Sequence, residues 1–292
     1  MLMKKPAFLL ALLLITIGTV AQTSYRGFID KYPVELVTSI YADGEATAIY
    51  TYTNVDEPIV VSGKLEQGRL TLLEKDKEQK AKASLTFPNF TPNASSIDGN
   101  WTDLRSGKQL KINLSKVFSL DDGVNEKGGE LLQPVSLGKH YFRLVVAKED
   151  AFAKVSGVKI LEKKTDRLVQ QLAVDCQLLG LNSIDTGDYN FDGLADFSVF
   201  EASYAGPNTS RLYFLFDPKS GSFVDSGFTG TSLEFDNKRK RIFERNQCCA
   251  GTSVTTAEYK VVQNKMVLVK QQCFKWDEKK QALVEHSWKD CQ

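Results

Sequence analysis

The feature that most constrains this chain is a run of short alternating segments separated by tight-turn residues. Val34, Leu36, Thr38 and Ile40 alternate with their neighbours, and Asp43-Gly44 supplies a hairpin turn. Ala46, Ala48, Tyr50 and Tyr52 then resume the same period of two. Pro58-Ile59-Val60-Val61 leads to Gly63, and Leu65 and Leu70-Leu72 flank Gly68. Leu110, Ile112 and Leu114 follow the Ser106-Gly107 turn. A residue pattern of period two buries one face of a strand, and strands at this spacing predict an antiparallel barrel or sandwich. The charged stretch Lys75–Lys82 has no apolar stripe and reads as a solvated turn or short helix. Asp121 to Glu130 is polar and glycine-rich and is the best boundary between two units. The expected organisation is a signal peptide over 1–21, a β domain over 22–130 and a second β domain over 131–292. The whole is expected to be all-β.

The N-terminus has the three parts of a secretory signal. Lys4 and Lys5 are positive, Ala7 to Val20 is apolar, and Thr19-Val20-Ala21 offers small residues for cleavage before Gln22. An apolar run of about 14 residues is short of the roughly 20 that a spanning helix needs. No other segment is apolar enough to span, so no transmembrane anchor is expected after cleavage. The expected address is periplasmic or secreted. Loss of Lys4 and Lys5 would leave 35 basic against 36 acidic residues, a net charge of −1. That balance supplies no general field for nucleic acid, and no nucleic-acid partner is expected.

Export also bears on the cysteines. Cys248, Cys249, Cys273 and Cys291 all fall in the last 45 residues. In an oxidising compartment such clustering reads as disulfides, and the spacings of a zinc site are absent. Vicinal Cys248 and Cys249 are expected to bond to different partners among Cys273 and Cys291, in an order that spacing leaves open. Cys176 reads as a buried free thiol.

The second half carries a weak repeat. Phe216-Asp217-Pro218-Lys219, Phe235-Asp236-Asn237-Lys238 and Trp276-Asp277-Glu278-Lys279 each set an aromatic and an aspartate before a turn. Repeated hairpins would suit propeller blades or a long meander. The same tetrad is also ordinary turn chemistry.

One segment carries metal chemistry. In Asp188-Tyr189-Asn190-Phe191-Asp192-Gly193-Leu194-Ala195-Asp196, oxygen-bearing side chains stand at positions 1, 3, 5 and 9. Glycine stands at position 6, where a sharp turn needs positive φ. Calcium takes about 6–8 oxygen ligands, and the Leu194 carbonyl at position 7 is the usual supplement. Val199 occupies the place of an EF-hand's bidentate glutamate, so Asp196 must close the site. The expected cofactor is one structural Ca²⁺ held by Asp188, Asn190, Asp192, Leu194 and Asp196. The alternative is a polar turn without metal.

Catalytic signatures are missing. The chain has two histidines, His140 and His286, each in a probable strand, and no nucleophile elbow, zinc-protease helix, P-loop or dinucleotide fingerprint. A carboxylate pair assembled in space stays open, and Asp185, near the metal segment, reads either as a residue that supports a metal ligand or as a turn residue. Trp101 could stack on a sugar or sit in the core. The loop holding Tyr204, Gly206, Pro207 and Asn208 follows the metal segment and could form a stiff protruding wedge for a partner.

Residues 188–196, then Ala205-Gly206-Pro207-Asn208, Tyr213-Phe214-Leu215-Phe216-Asp217 and Gly221-Ser222-Phe223 together resemble a known family. It is that of secreted bacterial β-propeller-like proteins with an FG-GAP-type calcium loop. The group includes periplasmic immunity proteins that inhibit lysozyme-like effectors. The resemblance spans about residues 140–292. It implies a propeller-like fold, one bound calcium and inhibition of a peptidoglycan hydrolase. A glycan- or envelope-binding module with structural calcium, and a carboxylate-dependent hydrolase, are the competing readings.

Overall fold

The structure, a computed structural model, describes residues 21–120, 129–149 and 152–291. The expected signal peptide lies outside these residues apart from Ala21. Among the described residues no helix is long and apolar enough to cross a membrane.

The fold is all-β. Eight strands close an antiparallel barrel: β1 (Ala21–Ile29), β2 (Tyr32–Ile40), β3 (Glu45–Tyr52), β4 (Ile59–Glu66), β5 (Arg69–Lys75), β6 (Ala81–Phe87), β7 (Ser96–Asp103) and β8 (Gln109–Ser119). Each strand pairs with the next, and β1 closes on β8. Closure leaves no free sheet edge. Tyr25, Leu36, Ala48, Tyr50, Leu70, Leu72, Leu85, Phe87 and Ile112 fill the interior. The Lys75–Lys82 stretch is a hairpin turn, not a helix: Asp76 Oδ1 accepts from Glu78 N and Lys80 N at 2.8 and 3.0 Å.

Three further antiparallel meanders follow in chain order. The first is β9 (Gly129–Leu137), β10 (His140–Glu149), β11 (Phe152–Glu162) and β12 (Arg167–Gln177). The second is β13 (Ile184–Gly187), β14 (Asp196–Ser203), β15 (Thr209–Asp217) and β16 (Ser222–Asp225). The third is β17 (Glu234–Asp236), β18 (Arg241–Cys248), β19 (Ser253–Val262), β20 (Lys265–Asp277) and β21 (Ala282–His286).

Strands β2 and β3 depart from simple alternation because they are buried on both faces. Leu36 and Ala48 point into the barrel. Their neighbours Val37 and Ile49, paired across the two strands, point out and join the core of the meanders. There they meet Phe142, Leu144, Val158 and Ile160. Burying side chains of this size contributes about 1.5–3 kcal/mol each. Phe118 of β8 belongs to the same core, and β9 begins directly over its ring. A Cβ at Gly129 would lie 2.3 Å from Phe118, so only glycine fits there.

The barrel face also brings a charge into this seam. Glu35 of β2 is fully buried, and Arg143 of β10 donates two hydrogen bonds to it, at 2.7 and 2.8 Å. Burial works against the Arg143 charge, but Glu35 outweighs it and holds the guanidinium's pKa above its ordinary value. At the rim, Lys164 N donates to Asp56 Oδ2 at 2.7 Å and Ser136 Oγ donates to Glu57 at 2.8 Å.

The aspartate turns recur, but as local chemistry. Asp217, Asp236 and Asp277 each accept from the amides two and three residues on. A residue in the left-handed region follows: Gly221, Lys240 or Gln281. Asp103 and Gly107 build the same turn inside the barrel. The tetrads sit at β15–β16 and β20–β21, the last hairpins of the second and third meanders, and at β17–β18, the first hairpin of the third. All three mark hairpins built by the same local turn chemistry.

Removing one half of a buried ion pair strands the other charge, at a cost of about 3–5 kcal/mol. In Arg143→Ala, Glu35 keeps only the half-exposed Arg26, whose Nε lies 3.1 Å from its Oε2, so unfolding free energy in urea is expected to fall by less, about 1–3 kcal/mol. The double variant Glu35→Leu/Arg143→Met should recover most of the loss. A single-variant effect under about 1 kcal/mol would show that the pair does not secure the seam.

Candidate functional site

The segment from Asp188 to Asp196 connects β13 to β14, and its odd and even residues go opposite ways. Tyr189 and Phe191 are buried in a second core with Tyr213, Leu215, Phe228 and Ile242. Tyr189 meets the Tyr213 and Phe235 rings edge-on, at 4.9 and 4.8 Å between centroids. These aromatics anchor the loop between the second and third meanders. Asp188 and Asp192, at loop positions 1 and 5, keep their oxygens for the loop itself. Asp188 accepts from Asp192 N and Gly193 N at 3.0 and 2.9 Å. Asp192 Oδ1 accepts from Leu194 N at 2.8 Å. Gly193 has φ +88, the conformation expected of it, and Phe191 is left-handed as well at +65. For a residue with a Cβ that conformation costs about 1–2 kcal/mol.

Asp196 is fully buried. Its Oδ2 accepts from Tyr189 N at 2.9 Å and its Oδ1 from Phe216 N at 2.8 Å. One carboxylate thus ties the start of the loop to the far end of β15. Burial holds its carboxyl above the ordinary aspartate range. Its two backbone hydrogen bonds oppose that push, and the charges of Asp192 and Asp188 add to it.

Among the described residues, no three carboxylate, imidazole or thiol side chains gather as a metal-holding group. The physical reason is visible here: Asp196 is turned to two amides, while Asp188 and Asp192 satisfy the loop turn. The chemistry of the donor set nevertheless suits a hard cation. Three mutually repelling carboxylates and the Asn190 amide stand on one loop, and carboxylate oxygens have lone pairs beyond those used by amides. Asn264, which spacing did not flag, places its Oδ1 3.0 Å from Asn190 Nδ2. Lys240 reaches the Phe191 carbonyl at 3.2 Å. Asp185 does not face the loop; it pairs with Arg211 at 3.0 Å.

The wedge forms the β14–β15 connection. Tyr204 is 53% exposed, Gly206 and Pro207 are exposed, and Gly206 has φ +73. Asn208 differs from the other three. It is buried, and its amide pairs with the Gln247 backbone in both directions, at 2.7 and 3.0 Å. Tyr204 N donates to Asn208 O at 2.9 Å and closes the loop. The wedge is therefore braced against β18. Gln170 pairs in the same manner with the Phe223 backbone, at 2.8 and 2.9 Å, joining the first meander to the second.

The cysteine pairing differs from expectation. Cys273 bonds to Cys291, and Cys248 and Cys249 bond to neither. Cys273 lies inside β20, where the short C-terminal turn Trp288–Cys291 folds back on it. Cys248 and Cys249 instead occupy the β18–β19 turn and face each other. Cys176 is buried, and burial pushes its thiol up to about 12.

His140 opens β10, with its pKa lowered first by burial and then by Lys139. His286 ends β21, 3.6 Å from Asp290. Neither pairs with a nucleophile. Trp101 packs against the barrel core.

No family model and no curated protein matches the chain. Two solved structures resemble it faintly. One is a Xanthomonas Type IV secretion system related protein, 16% identical with a TM-score of 0.34, over 56% of this chain and 96% of that one. The other is a eukaryotic initiation factor, 8% identical with a TM-score of 0.17, over 86% and 96%. Likenesses at this level carry no argument.

Two outcomes follow from the geometry. Asn208→Ala removes two hydrogen bonds to the half-buried Gln247 backbone, each contributing about 0.5–1.5 kcal/mol, and should cost about 1–3 kcal/mol in chemical denaturation, with faster proteolysis around 204–208. Alkylation of the folded protein at pH 8 should leave Cys176 unlabelled. Labelling as fast as in the unfolded chain would contradict its burial.

Proposed function

We propose that this chain is an exported, calcium-stabilised β protein that works by binding, and that its target is a lysozyme-like peptidoglycan hydrolase. The observation that carries the reading is the braced wedge. Tyr204, Gly206 and Pro207 are exposed on a loop whose base is held by Asn208, with the Tyr204 hydroxyl 3.0 Å from Ser210 Oγ. The strand leading into that loop, β14, begins at Asp196. An exposed aromatic on a rigid base enters a concave site at low entropic cost, as inhibitors of clefts require. The three meanders, packed in chain order, support a propeller-like reading of the second half. The resemblance of residues 188–223 to calcium-loop inhibitors supplies the target class.

The proposed Ca²⁺ is held by Asp188, Asn190, Asp192, the Leu194 carbonyl and Asp196, with Asn264 close by. Its role is structural. It would neutralise the clustered carboxylates and pin the entry to β14.

Sites in extracellular modules bind calcium at roughly 10⁻⁴–10⁻³ M. At about 10 mM calcium such a site adds about 1.4–2.7 kcal/mol, or about 3–10 °C in melting temperature. Asp192→Ala should abolish the rise, and identical melting in calcium and EDTA would remove the ion from the account. In a turbidity assay on peptidoglycan with a panel of muramidases, the protein should slow lysis by at least one enzyme. Tyr204→Ala should weaken that inhibition at least tenfold, the scale of an interface hot spot. Full potency of Tyr204→Ala would mean that another surface makes the contact.

A further inference from the structure

The turn between β18 and β19 holds two chemically reactive groups that the binding reading does not use. Cys248 and Cys249 are adjacent in sequence and both exposed, and their sulfurs stand 2.8 Å apart. That is closer than two unbonded sulfur atoms ordinarily pack. The backbone is bent to allow it: Cys249, Ala250 and Gly251 have φ of +58, +52 and +88 in succession. The turn is tied down beyond the pair, where Thr252 N and Thr252 Oγ1 both donate to Cys249 O, at 3.1 and 2.7 Å.

The cysteine inventory leaves this pair no other intramolecular partner. The chain has five cysteines. Cys273 and Cys291 are bonded to each other and Cys176 is buried. The pair lines a shallow surface depression with Lys275, Trp276 and Cys291. The hydrogen bond and charge of Cys248 hold the Cys249 thiol above its ordinary pKa, and Lys275 only opposes that rise. The thiolate, the species that exchanges with disulfides, therefore forms more readily at alkaline pH.

We propose that Cys248 and Cys249 are a redox-active vicinal pair that closes into a disulfide by exchange with a disulfide oxidant. One thiolate attacks a sulfur of the oxidant, forms a mixed disulfide and expels the first thiolate. The second cysteine then attacks the sulfur of its neighbour and expels the other. Two cysteine thiols are oxidised, one external disulfide is reduced to two thiols, and the two protons pass to the leaving groups. Closure acts directly beside the wedge, because Gln247, which Asn208 grips, precedes Cys248.

The test uses the full mature chain, folded, in buffers of graded oxidised and reduced glutathione. Free thiols are trapped with iodoacetamide and the tryptic peptide from Asn246 to Lys260, which carries both cysteines, is weighed. The expected result is an unlabelled peptide lighter by two hydrogens in oxidising buffer, and a doubly labelled one in reducing buffer. In Cys248→Ser the attacked sulfur has no neighbour to resolve it, so Cys249 should retain glutathione. Labelling of both thiols at every ratio would overturn the proposal. So would a lasting glutathione adduct on the native pair, or a link to Cys273, Cys291 or a second chain.

Discussion

The second half of the molecule depends on one buried carboxylate. Asp196 sits where the metal-type loop becomes β14, and its two oxygens hold amides from opposite sides, Tyr189 and Phe216. A carboxylate removed from water is costly unless it is hydrogen-bonded. Here that requirement works as a clamp: the charge is tolerable only while the loop start and the end of β15 are both in place. The aromatic residues between the oxygens complete the arrangement. Tyr189 and Phe191 drop into the core shared with the third meander, so the loop cannot lift without uncovering them. The proposed ion would act on the same clamp from outside, offsetting the mutual repulsion of Asp188, Asp192 and Asp196.

The barrel is joined to this assembly by a seam of mixed character. Val37, Ile49 and Phe118 supply apolar area, which holds two surfaces together without fixing their angle. The bidentate contact between Glu35 and Arg143 has the directionality that apolar packing lacks. Side-chain amides do comparable work further along, where Gln170 and Asn208 stand in for short strands between successive sheets.

Much of the barrel was legible because its period of two is a direct consequence of one-sided burial, as at Leu36, Ala48, Tyr50 and Ile112. The outward burial of Val37 and Ile49 was not legible. A strand covered on both faces loses its alternation, and nothing local says what covers it. The turn from Asp188 to Gly193 was readable, because it is built by residues adjacent in sequence. The inward role of Tyr189 and Phe191 had a signal, aromatics alternating with oxygens, that was open to reading. Asn264 and Gln247 had none, since they reach the site only through the packing of the third meander. The cysteine pairing failed for a related reason. Clustering in sequence shows that sulfurs are near one another, but the return of the C-terminal turn onto β20 decides which of them meet.

The calcium proposed for the Asp188–Asp196 loop would stiffen the sheet that carries the wedge. Hydrogen exchange followed by mass spectrometry, with and without calcium, tests it most directly. Slower exchange confined to peptides within residues 184–217 is expected, with the barrel strands unchanged. Identical exchange in both states, or a change spread evenly over barrel and meanders, would contradict it.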